Sequence, residues 1–285
     1  MAAKGYAAPA VGETFARARE LAEQLDRSDY LVPLLYGQWL FHEVRLEMRL
    51  ALSLAERIEQ IGDAQDDVRL LLLGHLVHGI TRKDIGDLVA ARALFERCHR
   101  LDDPTHRAVY TQIAMADPHD QLLKHLGVTL TCLGYIEQGR ARLNEVLRDA
   151  RQRGDLYTLA FVLSWAAWIE SATRLPHEAQ RQADEAVAVS TEHGFPLMLA
   201  HGIVSRGCAL TALGQAQEGL ALIAKGLSMS RATGAVVHTP SMLVRLAEAH
   251  ARLGEPIEGQ NCLAEATQII ESTDERFAEA DVYIC

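Results

Sequence analysis

Leu133-Gly134-Tyr135-Ile136-Glu137-Gln138-Gly139 returns as Leu213-Gly214-Gln215-Ala216-Gln217-Glu218-Gly219 and again as Leu253-Gly254-Glu255-Pro256-Ile257-Glu258-Gly259. Between the first two copies stands Arg174, followed five residues on by Ala179, so positions 134, 174, 214 and 254 share one register at an interval of 40. Other columns keep their character. Gly127, Ala167, Gly207 and Ala247 hold a small residue, and Leu123, Leu163, Ile203 and Leu243 a large apolar one four positions earlier. A period of this length belongs to solenoids, whose units bury their apolar faces only by stacking on one another. It directs the search for function from a pocket toward a surface.

Within one period the pattern is helical. Leu143, Val146, Leu147 and Ala150 recur at three and four while Arg140, Glu145, Arg148 and Asp149 take the other face, and the preceding stretch carries Leu122, Leu123, Leu126, Leu130 and Leu133. Gly154, Gly194 and Gly234 suit the left-handed residue that closes a helix, and Pro176 and Pro256 the first turn of one. Asp117-Pro118 and Thr239-Pro240 read as N-cap and N1. The small-residue column extends upstream to Gly79 and the turn to Gly86; the step from Gly86 to Gly134 exceeds the period, which places an insertion loop around 102–118. The reading is all-α: about six helix-turn-helix repeats with a leading and a trailing helix, a flexible segment over 1–11 and one solenoid domain over 12–285.

Composition agrees with a packed array and excludes several function classes. Of 285 residues 49% are hydrophobic, and the net charge of -10 speaks against nucleic acid or an anionic membrane as partner, since both require a positive field. The five cysteines are odd in number and widely spaced, as expected of reduced, mostly buried thiols in a cytoplasmic protein. Residues 1–11 lack the apolar core of a signal peptide, and no run is long enough to span a bilayer.

Motifs that would carry catalysis are missing. There is no Gly-x-x-x-x-Gly-Lys-Ser/Thr loop and no Gly-x-Ser-x-Gly, and His42-Glu43 and His177-Glu178 each lack the second histidine of a zinc-protease helix. His75 and His78 share a helical face and read either as two metal ligands or as packed side chains, the second being favoured because His75 occupies a leucine and isoleucine column. Asp102, Asp103, His106, Asp117, His119 and Asp120 in the insertion suit a hard-metal or partner-binding loop, or a solvated connector with helix caps. No catalytic, metal or cofactor residue is assigned.

A small residue, then Leu-Gly, then a small residue and a bulky apolar one, is the tetratricopeptide-repeat pattern. Tyr36-Gly37-Gln38-Trp39-Leu40-Phe41-His42, Glu192-His193-Gly194-Phe195-Pro196, Arg231-Ala232-Thr233-Gly234-Ala235 and Glu275-Arg276-Phe277-Ala278-Glu279-Ala280 add to it. From about Glu13 onward the chain resembles the C-terminal tetratricopeptide region of bacterial signalling proteins that carry a class III adenylate/guanylate cyclase and an AAA-type ATPase domain. Neither of those domains is encoded here. The resemblance implies a non-catalytic interaction or sensor module that takes a protein or peptide segment, or the cyclase and ATPase domains themselves. The alternative is a small-effector sensor region like those of ATPase-type transcription activators. In such arrays the first helix of each pair lines the concave side, which transfers to Tyr36, Trp39, Ile80, Lys83, Gln121, Lys124, Val128, Phe161, Ser164, Trp168, His201, Val204, Cys208, Arg245 and Glu248. Phe161 and Trp168 lie on one face, flanked by Lys124, His201 and Arg245, a set suited to an acidic or carbonyl-rich peptide. The closing Phe277, Ala280, Val282, Tyr283 and Ile284 either pack back on Leu263, Ala266 and Ile270 or mediate a homodimer.

Overall fold

The structure, a computed structural model, describes residues 7–25, 30–103 and 117–285, so His106 and the body of the expected insertion, 104–116, lie outside the described residues. Among the described residues there are fourteen helices and no strand. A leading α1 (Pro9–Gln24) precedes six pairs: α2 (Leu31–Val44) with α3 (Met48–Gln65), α4 (Val68–Asp84) with α5 (Leu88–Leu101), and α6 (Pro118–Cys132) with α7 (Ile136–Arg153). Then follow α8 (Leu156–Ala172) with α9 (Pro176–His193), α10 (Pro196–Ala212) with α11 (Ala216–Ala232), α12 (Thr239–Leu253) with α13 (Pro256–Thr273), and a short α14 (Glu279–Ile284). Ala7 is already buried and α1 begins at Pro9, so packing starts ahead of residue 12.

Each sequence column has a structural job. Gly134, Arg174, Gly214 and Gly254 are the left-handed residues of the turn inside a pair, at φ +87°, +61°, +87° and +74°. Gly86 (φ +85°) and Leu46 (φ +59°) occupy the same turn upstream, so the register of 40 does reach the first pair, hidden there by a leucine. The turn between pairs uses Gly154, Gly194, Gly234 and, in the same column, Asp274 at φ +61°. The small columns set the approach within a pair: a Cβ on Gly207 would meet the Gly219 carbonyl oxygen at 2.7 Å. Asp117 caps α6 by accepting from the His119 N–H at 3.0 Å, and Pro176 and Pro256 open α9 and α13. Thr239 differs from its expected role: the N-cap of α12 is His238, whose left-handed backbone (φ +64°) turns its ring into the interior.

First helices touch first helices from α4 to α12, forming the inner wall, and the large apolar columns fill the space behind it. Leu163, Ile223 and Phe95 are wholly buried there. Of the thiols only Cys98 is buried; Cys132 and Cys285 are exposed, because their columns lie at a helix end and in the tail.

The ring of helices closes on itself. The N–H groups of Val236 and Val237 both donate to the Val44 carbonyl, at 2.9 and 3.2 Å, and those of Arg276 and Phe277 both donate to the Asp84 carbonyl, at 2.8 and 3.2 Å. Donors and acceptors are each one repeat apart, so the same seam is made twice. Ala7, Val44, Leu46, Met48, Ala235 and Val237 form an apolar cluster along it, Arg49 pairs with Asp274 at 3.1 Å, and Gly86 lies against Arg276. An open concave groove is thereby narrowed to a largely filled interior.

Candidate functional site: the closed interior

Helices α2 and α4 project polar side chains inward that find partners on each other. Trp39 Nε1 donates to Thr81 Oγ1 at 2.9 Å, and Thr81 Oγ1 donates to Glu43 Oε2 at 3.1 Å. Burial and the neighbouring Asp84 push the Glu43 carboxyl well above the usual range, so it keeps its proton. Burial pushes Asp84 the same way, but the Lys83 ammonium beside it and the hydrogen bond with Glu43 outweigh that and leave it ionised. Lys83, fully buried, pairs with Asp84 and sits 4.5 Å from the centroid of the Phe277 ring. Lys124 donates to Gln121 Oε1 at 2.9 Å and lies 3.7 Å from the Phe161 centroid, its amine pushed well down by burial and by Lys83.

These contacts correct the sequence-derived surface. Tyr36, Trp39, Ile80, Lys83, Lys124 and Val128 are buried structural residues. The positive flank disappears as well: burial, with Lys124 second, pushes His201 down to about 4, so it is a neutral imidazole at pH 7. Arg245 stays charged, paired through Nη1 with Glu248 at 2.6 Å and through Nη2 with Asp281.

What remains open lies between α8, α10, α12 and the segment after α13. Ser164, Trp168, His201, Val204, Cys208 and Arg245 of the expected set do converge here, around a cavity of about 70 Å³ that opens to solvent. Trp165, Ser171, Ser205, His238, Ser241, Met242 and Phe277 complete the walls and were absent from that set. Trp165 stands 4.9 Å from His238 and 5.8 Å from Trp168, and Phe277 closes on Trp168 at 5.8 Å, ring centroid to centroid. Phe277 carries only a weak sequence signal: it falls in the column of Val237, one repeat earlier, which makes the other half of the seam.

The lining is mainly apolar, yet six of its members hold a buried polar atom with no hydrogen-bond partner among the described residues: Trp165 Nε1, Ser171 Oγ, His201 Nε2, His238 Nδ1, Ser241 Oγ and Arg245 Nε. Buried polar groups are nearly always paired, and each orphan costs on the order of 1–3 kcal/mol. Six such atoms fall among the residues of this one lining.

The other sequence candidates have local partners. His75 Nδ1 and His78 Nδ1 lie 3.1 and 2.6 Å from the two Glu59 oxygens, and together they hold that carboxyl below the usual range. His119 pairs with Asp102, and Arg153 gathers Asp120 at 2.5 Å, Asp149 at 3.1 Å and Asp117 at 3.8 Å. No helix of the described residues is long and apolar enough to cross a membrane.

No protein-family model matches the chain, and no curated protein is similar to it in sequence. Solved structures are similar in fold. A Rap protein complexed with the Competence and Sporulation Factor superposes with a TM-score of 0.61 at 13% identity, over 88% of this chain and 68% of that one. NprR in complex with its cognate peptide NprX superposes with a TM-score of 0.67 at 11% identity, over 95% of this chain and 77% of that one. At such identities the likeness is one of architecture, and the fold is a tetratricopeptide-like α-α superhelix.

Proposed function

We propose that this chain is a non-catalytic signalling module that binds a protein or peptide segment in the pocket between α8, α10 and α12. The observation that carries this reading is the set of six unpartnered polar atoms set among three aromatic rings. It is supported by the fold shared with NprR and Rap, whose solved complexes hold a cognate peptide and the Competence and Sporulation Factor. The resemblance of the sequence to cyclase and ATPase signalling proteins makes those domains one source of the segment. A small effector seated against the same aromatic rings is the second reading.

Selection of a random heptapeptide display library against the full chain tests the proposal. A selected peptide binds with quenching of tryptophan fluorescence, and Trp168→Ala weakens it roughly thirtyfold, since a central aromatic anchor contributes about 2 kcal/mol. Undiminished binding to Trp168→Ala places the working surface elsewhere. A fall in melting temperature without a binding defect assigns Trp168 to the core.

A further inference from the structure

The orphaned atoms are unequal in what they demand. An indole N–H and a guanidinium N–H can only donate, so Trp165 Nε1 and Arg245 Nε require acceptors. The hydroxyls of Ser171 and Ser241 and the neutral imidazoles of His201 and His238 serve either way. No carboxylate or carboxamide lines the pocket. Trp165 Nε1 and Arg245 Nε are thus the two groups that a ligand must meet with an acceptor, and no carboxylate or carboxamide of the lining competes for them.

Charge narrows the choice of acceptor. Arg245 already holds Glu248 and Asp281, and a ligand carboxylate would be the third acid around one guanidinium. Lys83 is matched by Asp84. A neutral carbonyl oxygen meets the donors without that repulsion. Shape narrows it further, because the lining comes from three successive first helices. Helix axes in contact lie about 8–10 Å apart, so a ligand crossing all three spans roughly 16–20 Å, the reach of about five or six extended residues. Trp168, Met242, Val204 and Phe277 offer one apolar recess along that path.

Resting on the reading above that the pocket binds a peptide, we propose that its ligand is an uncharged, extended segment anchored by one aromatic or large aliphatic side chain, whose main-chain carbonyls accept from Trp165 Nε1 and Arg245 Nε. Recognition is by carbonyl and apolar contact, and acidic side chains contribute nothing to it.

The selected heptapeptides of the display experiment are the probe. They share one aromatic or large aliphatic position without enrichment of Asp or Glu, and their affinity changes less than about twofold between about 50 and 500 mM NaCl, where an exposed charge pair would be screened. Trp165→Phe, which keeps the ring and deletes the donor, weakens binding about five- to tenfold. A depsipeptide with an ester, a poorer acceptor, beside the anchor binds the unaltered protein several-fold more weakly, so the result does not depend on how Trp165→Phe folds. Binding that still needs Trp168 but selects acidic residues and falls tenfold with salt overturns the carbonyl assignment and leaves the peptide reading standing. Equal affinity for amide and ester also overturns it. A library without binders, or a small molecule retained by the purified protein in native mass spectrometry, overturns both.

Discussion

The stack from α6 to α13 and the seam that closes the ring are built by different means. In the stack, contacts run between neighbours, and the same small and large residues recur every 40 positions because the same contact recurs. At the seam, main-chain N–H groups of residues 236–237 and 276–277 meet the carbonyls of Val44 and Asp84, and hydrogen bonds of that kind impose no side-chain type. Short-range packing is therefore written in residue identity, whereas closure follows from the accumulated pitch of the units. A repeat sequence can announce its unit clearly and stay silent about whether the array is open.

The sharpest test of this contrast is a cavity in the stack. Leu163→Ala removes a wholly buried side chain from the α8 column and lowers stability by about 4 kcal/mol, read as a shift of the denaturation midpoint. A loss under about 1 kcal/mol would mean the columns are not what holds the units together.

This same contrast explains what was legible. The column of Leu123, Leu163, Ile203 and Leu243 gave the helices and their order, and Gly154 and Gly194 their ends. The first pair looked irregular because Leu46 takes the left-handed position that Gly86 and Gly134 mark openly. Lys83 and Lys124 hold inward-facing positions that an open superhelix leaves wet and a closed one buries. Ser164, Trp168, His201 and Arg245 line the pocket at positions that the helical register indicates, whereas His238 and Phe277 reach it from loops after α11 and α13, where no helical column points to them.

The seam has a pH dependence of its own. Glu275, one residue before the Asp84 hydrogen bonds, is buried, and burial together with Asp84 pushes it up to about 8. The ordinary value of a glutamate is 4.5, so the folded state binds the extra proton between those limits and stability falls as pH rises through them. The slope is at most about 1.4 kcal/mol per pH unit, which sets a ceiling of about 4 kcal/mol by pH 8. Glu275→Gln should match wild type near pH 4.5 and exceed it progressively toward pH 8. Parallel curves for the two proteins would show that the carboxyl ionises without cost.

The smallest expected effect is in the turns. Arg174 stands where four other repeats have glycine, at φ +61°, a conformation that costs an L-residue about 1 kcal/mol. Arg174→Gly should stabilise by up to that amount in chemical denaturation, offset in part by the entropy of a freer unfolded chain. A destabilised variant would give the arginine side chain a role of its own.

A solenoid with free flanks is a spring, able to widen or tighten its coil as a ligand enters. Two latches one repeat apart, Val44 to residues 236–237 and Asp84 to residues 276–277, take that slack away. Phe277 is at once a latch residue and a wall of the pocket, so a guest that wedges against its ring pulls on the bond that shuts the coil.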